Sequence, residues 1–201
     1  MLRATNLSLE RGDRKLFENL NFVVNSGQVL QIKGANGSGK SSLLQVIAGD
    51  IEPTNGEISI DGNLKQDRNL SHRKLGYLSQ DLAIDFPISS YDFIRMASPK
   101  NDPNSICHKF KLEDILAKKI TELSTGQLQR VQIAQLAFQD PEIFLLDEPL
   151  SGQDQENIEL LTKIFYELKS QGKIILITNH ANIDLHDLVD NSVLLKSEIF
   201  N

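Results

Sequence analysis

Gly34-Ala35-Asn36-Gly37-Ser38-Gly39-Lys40-Ser41 is the stretch that decides the fold of this chain, because it matches the phosphate-binding pattern G-x-x-x-x-G-K-[ST] at each defined position. An apolar run, Val29-Leu30-Gln31-Ile32, precedes it and predicts a strand. Leucine and isoleucine residues follow at helical spacing and predict a helix that ends at Gly49. A strand, a glycine-rich loop and a helix in this order indicate an α/β fold that binds a nucleoside triphosphate.

The residue types of this loop suit phosphate. Glycines without a Cβ let successive backbone N–H groups turn toward one anion, and the helix N-terminus adds a partial positive charge. Lys40 supplies a cation for the β- and γ-phosphates, Ser41 can bind Mg²⁺, and Ser42 can donate toward the α-phosphate. A glycine- and serine-rich turn that fits by chance is the alternative, which the flanking strand and helix disfavour. The other loop residues expected at the phosphates are Asn36, Gly37, Ser38 and Gly39.

Two carboxylates follow a second apolar run, Ile143-Phe144-Leu145-Leu146, which is typical of a buried parallel strand. Asp147 at the end of this strand is suitably placed to hold Mg²⁺ through water. Glu148, on the other side of an extended chain, could polarise an attacking water. The alternative for Glu148 is a solvated acid at a strand end.

Two further polar residues end apolar runs, where an α/β sheet collects its ligand-binding groups. Gln80 follows Leu75-Gly76-Tyr77-Leu78-Ser79, and its amide can offer an oxygen to Mg²⁺ or to the attacking water. His180 follows Ile174-Ile175-Leu176-Ile177-Thr178-Asn179 and can donate a hydrogen bond to the γ-phosphate. Taken singly, each residue fits an ordinary polar strand terminus better than a catalytic group. Their order relative to the P-loop and to Asp147-Glu148 favours the catalytic interpretation.

The segment Leu123-Ser124-Thr125-Gly126-Gln127 directly precedes a predicted helix. A serine hydroxyl and a glycine amide at a helix start can form a second phosphate-binding end. A simple helix cap is the alternative for Ser-x-Gly at this place.

With these motifs in this order, essentially the whole chain resembles the ATP-binding cassette (ABC) ATPases. The corresponding segments are Walker A at 34–41, the Q-loop at Gln80, the signature at 123–127, Walker B at 143–148, the D-loop at 151–154 and the switch histidine at His180. The resemblance implies a P-loop NTPase core sheet of the RecA-like type, with an antiparallel β layer and an inserted α-helical subdomain. It also implies ATP and Mg²⁺ as cofactors.

The same resemblance implies that two cassettes, expected here to be identical, close head to tail around ATP. Ser124, Thr125, Gly126 and Gln127 would then contact the nucleotide that the partner's P-loop holds. Glu148 would be the general base, and Gln80 and His180 would complete the catalytic set. Ser41, Gln80 and Asp147 would be the metal ligands.

Two positions depart from the usual ABC pattern. Thr125 stands where the signature commonly carries a second glycine, so its Cβ could limit backbone freedom and crowd the partner's nucleotide, which we expect to tune activity without abolishing it. Arg11 stands near the place of the aromatic ring that stacks on adenine. A guanidinium plane can stack on a base with less apolar area, and a solvated charge is the alternative.

The domain organisation follows from where the strand pattern is lost. We expect a single nucleotide-binding domain over residues 1–201, with residues 1–80 and 140–201 as the catalytic core and residues 81–139 as the helical subdomain. The resemblance implies that a coupling helix of a membrane subunit docks near the Q-loop. The candidate docking side chains are Asp85, Phe86, Pro87, Tyr91 and Phe93. The alternative is that these side chains pack within the helical subdomain.

Composition limits the remaining possibilities. With 201 residues and 40% hydrophobic content, the chain supports one sizeable core and leaves no room for a second cassette. Its single cysteine, Cys107, excludes an internal disulfide, and neither a signal segment nor an apolar run of about 20 residues is present. The net charge of −6 argues against broad attraction to nucleic acid, so no nucleic-acid partner is expected. We expect a cytoplasmic protein, peripheral on the inner face of the cell membrane, with integral membrane transporter subunits as partners.

The opening segment 9–17 and the short C-terminus look like the ATP-binding subunit of the bacterial haem-exporter type used in cytochrome c maturation. Haem would then be a transported cargo that this chain does not bind. Other small bacterial export cassettes remain an alternative. A non-transport ABC ATPase acting on translation or DNA normally has fused cassettes or long coiled coils, and a P-loop kinase would leave the signature unexplained.

Overall fold

The computed structural model describes residues 1–12, 14–64, 75–80, 86–179 and 183–196. In these residues, one parallel and one antiparallel sheet are packed with helices, as the sequence predicts for a P-loop NTPase fold. No helix in the described ranges has both the length and the apolar character needed to cross a bilayer.

The strands of the parallel sheet are β3 (Val29–Lys33), β6 (Leu75–Leu78), β7 (Ile143–Leu146), β8 (Ile174–Thr178) and β9 (Asn191–Leu194). Their spatial order is β6-β7-β8-β3-β9. Every residue of β7 and β8 is buried, which explains their continuous apolar runs, since helices or the second sheet cover both faces. The carboxyl ends of β3, β6, β7 and β8 meet at one edge, and the predicted site residues that follow β3, β6 and β7 lie there.

The antiparallel sheet has the order β2-β1-β4-β5. Its strands are β1 (Leu2–Arg11), β2 (Arg14–Val24), β4 (Asn55–Ile60) and β5 (Asn63–Leu64). This confirms the predicted β layer, although β1 and β2 are longer than their apolar runs suggest. The extra length comes from the hairpin, in which Arg11 pairs with Arg14 and register irregularities accommodate the polar positions.

Five α-helices lie in the described part of the chain: α1 (Lys40–Ala48), α2 (Ser90–Arg95), α3 (Asn104–Lys109), α4 (Thr125–Gln139) and α5 (Gln155–Ser170). Two short 3₁₀ helices, Glu113–Ile115 and Ile120–Glu122, precede α4. Helix α1 ends at Gly49, whose left-handed backbone (φ 92°) caps it as predicted. Asp154 caps α5 by accepting from the backbone N–H of Asn157.

Two buried apolar clusters hold these layers together. One lies between the antiparallel layer, α1 and one face of the parallel sheet. The other joins α2, α3 and α4 to α5 and the opposite face, and includes Ile94, Cys107, Phe110, Leu161 and Phe165. Burial, with the nearby carboxylates Asp102 and Glu113, raises the pKa of the Cys107 thiol to about 11, so it stays protonated in the core. Helices α2 to α4 thus share a core with the sheet, while the predicted subdomain boundaries at 81 and 139 stay a prediction.

Candidate nucleotide-binding site

The loop between β3 and α1 is a tight cradle of backbone. Ser38 donates its N–H to the carbonyl of Ala35 at 3.1 Å, and Lys40 Nζ donates to the carbonyls of Gly34 and Ala35 at 3.1 and 3.2 Å. Gly34 has a φ of 155°, and a Cβ there would lie 2.3 Å from Ser38 Oγ. The loop therefore requires glycine at this position.

Ser38 and Lys40 place buried polar groups in this loop. Ser38 is only 1% exposed, and among the described residues its Oγ has no hydrogen-bond partner. Lys40 is 8% exposed and lies beside it at the start of α1. A buried hydroxyl that lacks a partner, next to a buried ammonium group and a helix N-terminus, fits a phosphate group.

A cavity of about 550 Å³ opens over this loop and brings most of the predicted residues together. The predicted residues that line it are Arg11, Asn36, Gly37, Gly39, Lys40, Ser41, Ser42, Gln80 and Glu148. Arg14 and Leu16 also line it, and the sequence reasoning missed both.

Arg14 contacts the loop directly. Its Nη2 donates to the carbonyl of Gly37 at 2.9 Å, and across the hairpin it pairs with Arg11. Two arginines of the hairpin therefore line the cavity, where the sequence pointed only to Arg11. The sequence signal was the spacing Arg11-Gly12-Asp13-Arg14, since a hairpin turn places its two flanking residues side by side.

Asp147 lies directly after β7 and is 1% exposed. Its Oδ1 accepts a hydrogen bond of 2.6 Å from Oγ1 of Thr178, the buried last residue of β8. The same Oγ1 accepts from the backbone N–H of Glu148 at 2.8 Å. Thr178 thus holds both acidic residues, and its position as the last residue of an apolar run could have revealed it.

The backbone at Glu148 is a correction to the sequence interpretation. An extended chain was expected to point Glu148 away from Asp147, but Glu148 has a φ of 50°, in the left-handed region. Pro149 follows, and the backbone turns instead of continuing β7. This turn brings the Glu148 carboxylate to Gln80, whose Nε2 donates to Oε2 at 2.9 Å. The predicted pair of Q-loop and Walker B residues is therefore in direct contact.

The signature segment lies at the start of α4, and among the described residues it forms no part of the cavity lining. Ser124 caps the helix: its Oγ accepts from the N–H of Gln127 at 3.3 Å, and Gln127 Oε1 accepts from the N–H of Ser124 at 3.1 Å. The backbone at Thr125 is helical, a conformation that does not require glycine, and crowding of the partner's nucleotide by the Thr125 side chain stays a prediction. Ser124 and Thr125 are both exposed. His180 lies outside the described residues.

The donor atoms near the cavity fit Mg²⁺. Ser41 lines the cavity and carries an oxygen ligand, and Asp147, which does not line it, adjoins Glu148, which does. Gln80 directs its Nε2 to Glu148, which leaves its amide oxygen as the group for a cation. In the described residues, no cluster of three or more His, Cys, Asp and Glu side chains could hold a metal ion. The few protein ligands suit Mg²⁺, which usually completes its coordination with water and phosphate oxygens.

The glycine-rich loop after β3, the acid pair after β7 and the parallel sheet define a P-loop nucleotide-binding protein. The sequence model of the ABC transporter family matches residues 17–151 of this chain. The chain belongs to the ABC transporter family, as an ATP-binding subunit.

Similar proteins agree with this assignment. The chain is 33% identical to the cytochrome c biogenesis ATP-binding export protein CcmA of Idiomarina loihiensis, over 98% of this chain and 93% of that protein. It is 31% identical to an uncharacterised ABC transporter ATP-binding protein of Methanocaldococcus jannaschii, over 97% of this chain and 74% of that protein. A solved ATP-binding subunit of an ABC transporter superposes with a TM-score of 0.88 at 25% identity, covering 98% of this chain and 88% of that one. A dimeric ATP-binding cassette bound to ADP and phosphate has a TM-score of 0.85 at 23% identity, over 98% of this chain and 97% of that one, and supports the fold.

Proposed function

We propose that two copies of this chain close around ATP and Mg²⁺ and that hydrolysis drives a membrane transporter. The observation that carries the proposal is the separation of two phosphate-binding elements. The P-loop, Gln80 and Glu148 line one cavity, while the exposed helix start at Ser124 does not line it. A second copy is the simplest source of a signature that completes the site.

The chain's own residues divide the chemistry between them. The loop from Asn36 to Gly39 and Lys40 would hold the β- and γ-phosphates, and Ser41, Gln80 and Asp147 would hold Mg²⁺. Bound Mg²⁺ would neutralise charge that develops on the phosphate oxygens. Glu148 would accept a proton from the attacking water, and Gln80, donating to Glu148 at 2.9 Å, would orient that carboxylate.

Arg11 would lie against the base of the nucleotide, because it lines the cavity from the β1–β2 hairpin, outside the loop expected to hold the phosphates. A guanidinium plane stacks on any purine, so discrimination between ATP and GTP would be weak. His180 would contact the γ-phosphate, by resemblance to the family alone.

The partner on the membrane side would dock at an apolar groove of about 720 Å³ beside β6 and α2. Phe86 and Met96 line it and are 69% and 63% exposed, which is unusual for large apolar side chains. Pro87 and Phe93, two of the docking candidates named from the sequence, line it too, whereas Tyr91 does not and Asp85 lies outside the described residues. A short apolar helix of an integral membrane subunit fits this surface, and the chain would then sit peripherally on the cytoplasmic face of the membrane.

Haem export for cytochrome c maturation is the cargo that we favour. It rests on relatives named as cytochrome c biogenesis export proteins, such as those of Idiomarina loihiensis and Aliivibrio fischeri, the latter 30% identical over 98% of both chains. Haem would be cargo of the membrane subunits and would not bind this chain. The second candidate is a role in another small export transporter, because the similar protein of Methanocaldococcus jannaschii is named only as an uncharacterised ABC transporter ATP-binding protein.

Co-purification from detergent-solubilised membranes tests the transporter role. The tagged chain should recover the membrane subunits encoded beside its gene. The double variant Phe86→Ser, Met96→Ser should recover at least about tenfold less of these subunits, because it loses the apolar contact that would be buried between the two proteins. Tyr166→Ser, which changes an exposed apolar side chain on α5, is the matched control and should recover wild-type amounts. Recovery with ribosomes or DNA, and with no membrane subunit, would reject the transporter role.

A further inference from the structure

Two glutamine side chains connect the signature helix to the acid pair within one chain. Gln153, in the loop between β7 and α5, donates through Nε2 to the carbonyl of Gly126 at 3.0 Å and to Gln129 Oε1 at 2.9 Å. Gln129, one turn into α4, donates through Nε2 to the carbonyl of Glu148 at 2.9 Å. A continuous hydrogen-bonded path therefore runs from Gly126 to the backbone of Glu148.

This path is closely packed at its signature end. A Cβ on Gly126 would lie 3.3 Å from Gln153 Oε1 and 3.3 Å from the carbonyl of Gly152, so helix and loop touch without a side chain between them. Gln153 Oε1 is buried, and among the described residues it has no hydrogen-bond partner. A buried acceptor without a partner destabilises a fold. What glutamine contributes at this place is its two Nε2 hydrogen bonds, to Gly126 and to Gln129, which an apolar residue could not form.

At its other end, the path contacts Glu148, whose backbone is in the left-handed conformation. The left-handed turn at Glu148 is held on its N–H side by Thr178 Oγ1 at 2.8 Å and on its carbonyl side by Gln129 Nε2 at 2.9 Å. Left-handed conformations cost non-glycine residues free energy and persist where surrounding contacts over-determine them. The backbone N–H of Ser151 also donates to the Glu148 carbonyl, at 3.1 Å, so Gln129 supplies one of several contacts on this turn, and Gln153 orients Gln129.

We propose that Gln129 and Gln153 are positioning residues that fix the Glu148 carboxylate according to the position of the signature helix. The inference rests on the proposed function, in which the signature contacts a nucleotide on the partner. A shift of Gly126 on that contact changes its bond to Gln153, then the orientation of Gln129, and finally the turn at Glu148. The two residues themselves line no part of the nucleotide cavity in the described structure.

Steady-state ATP hydrolysis by the full chain, together with its membrane subunits, tests this proposal. We expect Gln129→Leu and Gln153→Leu each to lower kcat about tenfold with KM changed less than about twofold, because ground-state nucleotide contacts are untouched. The double variant should lose no more than either single variant, since both act on one path. Gln28→Leu is the matched control, because Gln28 also bonds the backbone, accepting from the N–H of Asn25 at 2.8 Å, and lies at the opposite end of β3 from the P-loop.

Losses that multiply to about a hundredfold in the double variant, or a wild-type kcat in either single variant, would overturn the proposal. If a leucine variant does not fold, Gln153→Glu decides: it keeps the shape, removes both donors, and should lower kcat equally. A wild-type protein that never hydrolyses ATP would instead reject the proposed function, so the two failures are distinguishable.

Discussion

Thr178 Oγ1 donates to Asp147 Oδ1 at 2.6 Å, in a pocket where Thr178 is fully buried and Asp147 is 1% exposed. A carboxylate so enclosed needs a donor, because an unpaired buried charge is costly. The threonine hydroxyl meets that need and simultaneously receives the N–H of Glu148. One side chain thus fixes the residue expected at Mg²⁺ and the residue expected at the attacking water.

Thr178→Val should therefore lower kcat for ATP hydrolysis by about ten- to a hundredfold, since both acidic residues lose their orientation. The free energy of unfolding should fall by about 1–3 kcal/mol, because two buried polar groups lose their partner. Steady-state kinetics and urea denaturation measure the two effects. Thr178→Ser, which retains the hydroxyl, is the control, and equal activity of the Val and Ser variants would refute this role.

The two arginines of the β1–β2 hairpin give a second prediction. Arg14→Ala should weaken ATP binding about three- to tenfold, because it removes both a cation at the cavity and the contact that supports Gly37. Arg11→Ala should weaken ATP binding, with little change in the ratio of ATP to GTP affinity. Fluorescence titration with a labelled nucleotide checks this. Arg3→Ala, on β1 but away from the cavity, should bind as wild type; if all three variants match wild type, the arginines are ordinary surface charges.

Asp190 gives a pH-dependent prediction. Burial alone would raise the pKa of Asp190, but hydrogen bonds from Lys169 and from the backbone N–H of Val29 outweigh it and hold the pKa below its usual range. A carboxyl with a lowered folded-state pKa stabilises the fold above its unfolded pKa of about 3.9, and this stabilisation is lost as the pH falls through the folded value.

Asp190→Asn should consequently lower the free energy of unfolding by about 1 kcal/mol at pH 7 and by less near pH 3. Denaturant unfolding at both pH values measures the difference. An equal loss at the two pH values would show that the charge of Asp190 contributes nothing to stability.

The sequence predicted most of the fold because its strands are apolar and its turns carry glycine. The P-loop, β7 and the end of α1 at Gly49 follow from local pattern and are found as predicted. Thr178 and Arg14 were missed because their roles depend on neighbours distant in sequence, Asp147 across the sheet and Gly37 beyond the hairpin.

The turn at Glu148 was missed for a different reason. The apolar pattern of β7 continues smoothly into Asp147-Glu148, and the pattern alone does not show that Thr178 and Gln129 bend the backbone there. Gln153 was equally hidden, because a polar loop residue is usually exposed and this one is half-buried against Gly126.

The molar mass of the Glu148→Gln variant, measured in solution with ATP and Mg²⁺, tests the central claim that two cassettes share the nucleotide. The amide keeps the shape of Glu148 but accepts no proton, so hydrolysis should fall at least about a hundredfold while ATP still binds. Light scattering after size exclusion should give twice the monomer mass with ATP and the monomer mass without it. Adding Ser124→Arg should abolish the dimer while labelled nucleotide still binds. A Glu148→Gln protein that binds ATP and remains a monomer at high concentration would contradict the account.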